Sequence, residues 1–285
     1  MANNLHEEQA VAGRSIGNII AEANKLDAKE VEQILAHQKS TGVKFGEAAV
    51  ALGLVNGEDV MWALSQQFHY PYAPRTTSGT SEELVLARRP FGAQAEAFRR
   101  LRSQINMRLF GADQTRKALA VISPASGDGK SFFAANLAVG FSQLGGRTLM
   151  IDADMRNPRQ HEIFGVDNSH GLSGILAGRV EASVILPVPE LPSLFVLPVG
   201  TLPPNPLELV ERPAFELLIR ELVQKFDYVI VDTPAAEFGA DYAVIAARCG
   251  AALAMARHHQ SRLAALQELC GSLSNSSATL AGVVL

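Results

Sequence analysis

Short apolar runs alternate with longer stretches of helical periodicity over most of this chain. The runs have the length of buried strands, and the stretches between them place apolar residues three or four positions apart. The predicted strands cover residues 119–122, 149–152, 194–198, 228–232, 251–256 and 279–285, and the predicted helices include 91–109, 134–144, 207–225 and 260–272. This alternation indicates a doubly wound, mostly parallel α/β sheet. We predict this fold class for a domain over residues 91–285.

The N-terminal part carries a different pattern, a repeat with a constant offset of 29 positions. Ile16-Gly17 aligns with Phe45-Gly46, and Leu26 aligns with Val55. Each copy has the pattern of a short helix, a turn and a second helix, which indicates a duplication. We therefore predict a small all-α duplicated domain over residues 1–72.

Turn and cap residues mark the same points in both copies. Asn24 and Gly53 are predicted to end the first helix of each copy in the left-handed conformation. Asp27 and Asn56 are predicted N-caps of the second helices. The predicted buried face of these second helices comprises positions 31, 34 and 35 in one copy and 60, 61 and 64 in the other.

Residues 73–90 separate the two predicted domains. This segment is polar and rich in turn residues, and it shows no helical or strand period. We therefore predict an interdomain linker.

Composition excludes several classes of function. The chain has 285 residues, 47% of them hydrophobic, and a net charge of −4, so it lacks the basic field that nucleic-acid binding requires. Two cysteines give no disulfide framework or metal-ligand spacing. No signal sequence and no apolar run of membrane-spanning length is present. These features predict a cytoplasmic protein whose membrane association, if any, depends on a partner.

A phosphate-binding loop follows the first predicted strand of the larger domain. The segment after Ile122 ends in Gly-Lys-Ser before a helical stretch, and its candidate phosphate-binding residues are Ser126, Gly127, Asp128, Gly129, Lys130 and Ser131. Backbone N–H groups of such a loop surround phosphate oxygens, the lysine reaches the terminal phosphates, and the serine hydroxyl binds Mg²⁺. Pro124 stands where the usual pattern has glycine, so the loop must begin differently. The pattern indicates a sheet of the P-loop NTPase type.

Carboxylates end two further predicted strands. Asp152 and Asp154, followed by Arg156, end one strand, and Asp232 ends another. In an open parallel sheet the carboxyl ends of the strands meet at one crevice, where ligands bind. We therefore predict a site for ATP and Mg²⁺ with Lys130, Asp152, Asp154 and Asp232 as catalytic candidates. Arg156 is an additional nucleotide contact.

These three motifs resemble those of the bacterial tyrosine kinases, from about Phe91 to Leu285. The resemblance implies an ATP-dependent autokinase that regulates the polymerisation and export of extracellular polysaccharide. It implies that Ser131, Asp152 and Asp232 surround Mg²⁺, and it favours Asp152 as the group that activates the incoming tyrosine hydroxyl.

The resemblance also implies partners. A transmembrane chain-length regulator would activate the kinase and hold it at the inner membrane. The pattern Glu96, Arg99 and Arg102 is similar to the motif through which these kinases assemble into rings. Exposed charges paired within one helix are the alternative interpretation.

The N-terminal repeat resembles the N-terminal domain of type II secretion and pilus-assembly ATPases, whose duplicated motif binds cyclic di-GMP in some members. Ser15 and Lys44 stand where that motif has arginine. We therefore favour a docking role over cyclic di-GMP binding.

Two other functions fit the same motifs. A partitioning-type ATPase would be a nucleotide-gated dimerisation switch, but it usually has a second lysine where this chain has Ala125. A module that only senses ATP is the other alternative. The chain has four tyrosines, none near Leu285. It ends where a further loop would help to line the adenine side, so we expect either that this side is incomplete or that the sequence is truncated.

Overall fold

The computed structural model describes residues 15–68, 70, 72, 80–111, 115–179, 184–274 and 276–285. The chain divides between Tyr72 and Ala73 into two compact units. Within the described part of the chain, no helix is both long and apolar enough to cross a membrane.

The first unit is all-helical, as the repeat predicts. Its helices are α1 Ile16–Asn24, α2 Ala28–Thr41, α3 Phe45–Ala51 and α4 Gly57–Gln67. Asp27 caps α2 by accepting a hydrogen bond from Glu30 N at 2.8 Å, and Asn56 caps α4 by accepting one from Asp59 N at 2.9 Å. Both predicted N-caps are confirmed.

The left-handed turn residues differ from the prediction in one copy. Gly53 has φ 70° as predicted, but in the first copy the left-handed residue is Lys25, with φ 53°, and Asn24 is the last helical residue. Helix α1 is one residue longer than the pattern suggested, and the side-chain amide of Asn24 donates to Ile20 O at 3.0 Å.

The core of this unit follows the repeat only in part. Ile34 and its counterpart Ala63 are fully buried, whereas Leu35 and Met61 are 51% and 47% exposed. The predicted buried face is therefore too wide. Gly46 is also buried, and a Cβ added there would lie 2.7 Å from Val60 Cγ1, so glycine is needed where α3 meets α4.

The second unit is the predicted α/β sheet. Its helices are α5 Val85–Arg88, α6 Ala93–Leu109, α7 Lys130–Ser142, α8 Gln160–Phe164, α9 Leu172–Leu176, α10 Pro206–Glu211, α11 Pro213–Lys225, α12 Asp241–Cys249 and α13 Leu263–Ser274. Its strands are β1 Ala118–Ile122, β2 Thr148–Asp152, β3 Leu186–Val188, β4 Leu191–Leu197, β5 Tyr228–Asp232, β6 Gly250–Met255 and β7 Thr279–Val284.

The strand order is β3-β4-β2-β5-β1-β6-β7, and every neighbouring pair is parallel except β3 and β4. Separate hydrophobic clusters cover the two faces of the sheet. Helix α7 is buried along nearly its whole length, because it packs on the central strands. The doubly wound, mostly parallel fold is thus confirmed.

Two elements of this unit differ from the prediction. The antiparallel strand β3 forms a hairpin with β4 that the apolar pattern did not indicate. The predicted helix 207–225 is two helices, because Arg212 is extended with ψ 144° before Pro213. Proline disfavours the helical conformation of the preceding residue and has no N–H to continue the ladder.

The linker prediction is wrong for residues 80–90. Leu84 and Leu86 are fully buried in the core of the second unit, and the short helix α5 lies in this segment. Residues 73–79 lie outside the described residues. The prediction rested on the polar composition of the segment and did not take into account its two buried leucines.

Side chains of α7 hold this segment in place. The Asn136 amide donates to Glu83 O at 2.8 Å and accepts from Leu86 N at 3.3 Å, and Gln143 Nε2 donates to Leu86 O at 3.0 Å. Since buried amides of this kind satisfy backbone groups outside regular structure, residues 83–86 are part of the folded unit.

Candidate functional site

The loop between β1 and α7 has the backbone of a phosphate cradle. Gly127 and Gly129 have φ angles of 83° and 91°, a region that other residues adopt only with strain. Gly129 directly precedes α7, whose N-terminus no described side chain caps. The loop therefore presents the positive end of a helix and its N–H groups at one place, which suits an anion.

Asp128 closes this loop with its side chain. Its carboxylate accepts a hydrogen bond from Ala125 N at 2.9 Å and another from the Ser261 hydroxyl at 2.7 Å. Arg257 follows β6, and its backbone N–H donates to the Ser261 hydroxyl while its guanidinium reaches Gly127 O at 3.4 Å. The Asp128 carboxylate is thus engaged within the protein, and its backbone N–H is left to contact a ligand. No sequence pattern pointed to Ser261.

Lys130, Ser131 and Asp232 meet at the carboxyl ends of β1 and β5. Asp232 is fully buried, and Lys130 is only 6% exposed. Burial raises the pKa of Asp232 to about 6, while the Lys130 charge and hydrogen bonds from Ser131 and Gln160 oppose the rise. The lysine charge is therefore enclosed rather than solvent-facing.

A second buried carboxylate stands beside Asp232. Strands β2 and β5 pair in a register that sets Asp152 opposite Asp232. Burial, and then the charge of Asp232, raises the pKa of Asp152 well above its usual value. The Asp152 carboxylate also accepts N–H bonds from Asp154 at 3.1 Å, Arg159 at 3.1 Å and Gln160 at 2.9 Å. Asp152 thus shapes the loop after β2.

Asp154 and Arg156 lie in this loop. Asp154 Oδ1 accepts from Arg156 N at 3.2 Å and from Asn157 N at 2.9 Å, and no described residue donates to Oδ2. The guanidinium of Arg156 forms an ion pair with Asp241 at 2.9 Å, at the start of α12. Asp241 was not identified from the sequence, because an acidic residue at the start of a helix more often stabilises that helix than contributes to a site.

Gln160 is a buried polar side chain of the site that was not singled out from the sequence. It is fully buried, and its Nε2 donates to Asp232 Oδ2 at 2.8 Å and to Ser131 O at 3.1 Å. A glutamine carries no charge and belongs to no motif that we recognised in the sequence. Only the structure brings it to the site.

Glu237 is a second unexpected neighbour of the loop. Its carboxylate accepts the Ser126 N–H at 2.6 Å, and its own N–H donates to Pro124 O at 3.1 Å. A negative charge therefore occupies one of the donors that a phosphate would use.

The three predicted assembly residues lie on α6 and have partners within the chain. Arg99 contacts Glu96 at 3.2 Å and also donates to Pro90 O, and Arg102 donates to Gly140 O at 2.8 Å. Glu96 remains 58% exposed in this pairing. Assembly through them stays a prediction.

Two of the tyrosines are built into the second unit. Tyr228 stacks on Phe141 with 4.4 Å between ring centroids, and Tyr242 is 9% exposed and hydrogen-bonds Ser272 at 2.8 Å. Tyr70 is 52% exposed. Both tyrosines of the sheet unit therefore contribute to its packing.

The comparisons with known proteins agree with this geometry. A family model described as ParA: NUBPL iron-transfer P-loop NTPase matches residues 114–242. That range contains the loop, both aspartate-bearing strand ends and α8. It establishes a P-loop NTPase fold, which binds nucleotides.

Individual proteins give a narrower likeness. The chain is 32% identical over 209 residues to the putative tyrosine-protein kinase CapB of Staphylococcus aureus, which covers 72% of this chain and 90% of CapB. It is 34% identical over 209 residues to the putative tyrosine-protein kinase EpsB of Ralstonia solanacearum, covering 73% of this chain but 28% of EpsB.

A solved structure supports the same relationship. The chimerical protein CapA2B2 superposes with a TM-score of 0.67 at 32% identity, covering 81% of this chain and 98% of that chain. The likeness to CapB extends over most of the second unit and over nearly all of CapB. The chain therefore belongs to the family of bacterial tyrosine-protein kinases.

Proposed function

We propose that this protein transfers a phosphoryl group from ATP to protein tyrosines, its own included, and thereby regulates the polymerisation and export of an extracellular polysaccharide. The observation that carries the proposal is the meeting of the phosphate cradle, Lys130 and two buried carboxylates at one edge of the sheet. Phosphoryl transfer depends on positioning and charge neutralisation, which these groups supply.

The residues present fit a magnesium ion. No cluster of three or more His, Cys, Asp or Glu side chains in the described ranges could hold a metal by itself. Magnesium does not need one, because it keeps several waters and takes one or two protein oxygens beside the substrate phosphates. We propose that Ser131 and Asp232 hold Mg²⁺, with Asp152 acting through water. The ion would neutralise charge on the phosphates.

The other residues take complementary roles. Ser126 to Ser131 would bind the phosphates through backbone N–H groups, and Lys130 would neutralise the terminal phosphate. Arg156 would hold the loop after β2 through Asp241, and through it the position of Asp154.

One carboxylate must receive the acceptor hydroxyl. We favour Asp154 over Asp152 for this role, in contrast to what the resemblance implied. Both oxygens of Asp152 accept backbone N–H groups, whereas Asp154 Oδ2 accepts none from the described residues. An oxygen that is not engaged can accept the tyrosine proton, provided that it lies within hydrogen-bond reach in the complex.

A nucleotide-gated switch of the partitioning type is the second candidate, because the matching family model is of the ParA type. Incubation with labelled ATP and a tyrosine-containing acceptor polymer, followed by phosphoamino-acid analysis, separates the two. A kinase labels tyrosine, whereas a switch or a module that senses ATP releases phosphate or retains ATP.

The activating partner would be a transmembrane chain-length regulator, which would also place the kinase at the inner membrane. CapA2B2 is by its description a chimerical protein, which is compatible with a kinase completed by a partner segment. Adding the cytoplasmic tail of such a regulator to the full chain should raise the rate of tyrosine labelling.

We propose that the N-terminal unit is related to the secretion-ATPase N-terminal domain and serves for docking. Ser15 caps α1, with Asn18 N donating to its hydroxyl at 3.4 Å, and Gly46 packs against Val60. These positions have structural roles in the unit itself. Cyclic di-GMP binding is therefore not favoured.

Substitution of Lys130 tests the kinase proposal. Lys130→Met should lower tyrosine labelling at least about 100-fold, because it removes the cation that stabilises the transferred phosphoryl group. The measurement is the labelling assay with acceptor polymer. Lys117→Met is the control, since Lys117 contacts Thr279 at the other end of β1. Normal labelling by the Lys130 variant would refute the assignment.

Glu237 should oppose nucleotide binding. Glu237→Gln keeps the side-chain shape and removes a negative charge beside Ser126 N, so affinity for ATP should rise about three- to tenfold. Calorimetric titration measures the affinity. Glu221→Gln on α11 is the matched control, because Glu221 pairs with Lys225 along its own helix, away from the phosphate loop. Weaker binding by the variant would show that Glu237 supports the loop instead.

The raised pKa of Asp232 predicts a pH-dependent stability. A carboxyl group whose pKa is raised on folding binds more protons in the folded state, so its contribution falls as pH rises from about 4 to about 6. With a folded pKa of about 6, wild type should lose up to about 3 kcal/mol relative to Asp232→Asn across this range.

Denaturant unfolding without nucleotide or metal, at about pH 4 and about pH 8, measures this difference. Asp167→Asn is the control, because hydrogen bonds from Ser169 lower the pKa of the exposed Asp167 and leave no proton to lose in that range. A wild-type-to-Asp232→Asn difference that stays constant with pH would contradict the prediction.

Assembly through α6 is tested by reversing one exposed charge. Glu96→Arg should abolish nucleotide-dependent oligomers, because like charges facing each other across an interface cost several kcal/mol. It leaves the bond from Arg102 to Gly140 O intact. Light scattering gives the mass, with Arg100→Glu on the same helix as the control. Oligomers of unchanged mass in Glu96→Arg, or a wild type that stays monomeric, would reject the interface.

A further inference from the structure

The Gln160 side chain, at the centre of the site, has one hydrogen-bonding atom that has no partner among the described residues. The residue is fully buried, and Oε1 receives no hydrogen bond from the described residues. The two acceptors of its Nε2, Asp232 Oδ2 and Ser131 O, belong to residues to which we assign the metal ion. The unused oxygen therefore lies within the same enclosed cluster.

The orientation of this amide is fixed by its neighbours. Both partners of Nε2 are acceptors, so exchanging the amide oxygen and nitrogen would set oxygen against oxygen. The backbone N–H of Gln160 donates to Asp152 at 2.9 Å and holds the residue from the other side. The atom left over is therefore a carbonyl oxygen that requires a donor.

A buried carbonyl without a donor costs stability, and such groups in proteins are normally satisfied by protein or water. With a divalent cation bound, the neighbouring Asp152 and Asp232 are ionised, so they are acceptors and cannot supply the donor. A water bound to a divalent cation is a strong donor, and magnesium retains several waters in nucleotide sites. A water molecule of the expected hydration shell would therefore supply the donor that Gln160 Oε1 lacks.

We propose that Gln160 is a positioning residue whose Oε1 accepts a hydrogen bond from a water molecule coordinated to the magnesium ion of the bound Mg-nucleotide. The inference rests on the proposed function. The Oε1 end of the Gln160 amide then contacts the hydration shell of the metal, and the Nε2 end orients Asp232 and the main chain of Ser131. Through the backbone N–H it also connects the metal to Asp152 and to the start of α8.

The test is the gain in affinity for a fluorescent ADP analogue when Mg²⁺ replaces EDTA, measured on the full chain. Gln160→Met keeps the length of the side chain and removes both polar ends. We expect its magnesium-dependent gain to be about five- to tenfold smaller than in wild type, the size of one lost hydrogen bond. Its affinity for the analogue in EDTA should stay within about twofold of the wild-type affinity, a change that corresponds to the lower end of the net contribution of one hydrogen bond.

Gln143→Met is the matched control. Gln143 is also a buried glutamine with an unpartnered Oε1, but it lies at the other end of α7 and its Nε2 donates to Leu86 O. It should keep the full magnesium-dependent gain. An equal loss in both variants would show a general effect of core amides and overturn the proposal.

Gln160→Glu separates the two ends of the amide. It keeps an acceptor oxygen and sets a second oxygen against Asp232, a repulsion that a bound cation offsets, so it should retain most of the magnesium-dependent gain. If it loses as much as Gln160→Met, the donor to Asp232 carries the effect and the proposal is wrong. Equal losses with and without magnesium in Gln160→Met would indicate a purely structural role and also overturn it.

The wild type distinguishes failure of this inference from failure of the proposed function. A wild type whose ADP affinity does not respond to Mg²⁺ contradicts the metal site itself. A responsive wild type together with an equally responsive Gln160→Met contradicts only the role of Gln160. Manganese electron paramagnetic resonance of the ADP complex gives an independent signal, because a changed hydration shell alters the spectrum.

Discussion

The register between β2 and β5 is the constraint on which the site depends. It sets Asp152 directly opposite Asp232 at the carboxyl ends of these two strands. Both side chains are fully buried, so water cannot screen their repulsion. Lys130, Ser131 and Gln160 all offset the charge of Asp232, and three backbone N–H groups do the same for Asp152. Much of the loop structure around the site therefore holds these two carboxylates in place.

The sequence predicted those parts of the molecule whose signals are local. Caps such as Asp27 and Asn56, the glycines of the phosphate loop and the acids at strand ends follow from rules about neighbouring residues. The mostly parallel sheet followed from the spacing of apolar runs, and the site followed because parallel strands end at one edge. All of these signals are local patterns that can be read from a single sequence.

The parts that the sequence did not predict depend on contacts between distant residues. Four polar residues reach the loops of the site only through the fold, and no local pattern marks them in the sequence: Gln160, Glu237, Asp241 and Ser261. Leu84 and Leu86 were concealed by a polar segment, because two apolar side chains show no period. The break at Pro213 had a local signal, the proline itself, which the helix prediction over 207–225 did not use.

The tie between Asp128 and Ser261 has a consequence for how the protein is made. The two residues are 133 positions apart, and the strand that leads to Ser261 pairs with β1 only after most of the sheet unit has been synthesised. Contacts over such separations form late, because the intervening chain must first be ordered. On the ribosome, the phosphate loop would therefore leave the exit tunnel long before it acquires its final conformation. A nucleotide would therefore bind the finished domain and would not act as a template for its folding.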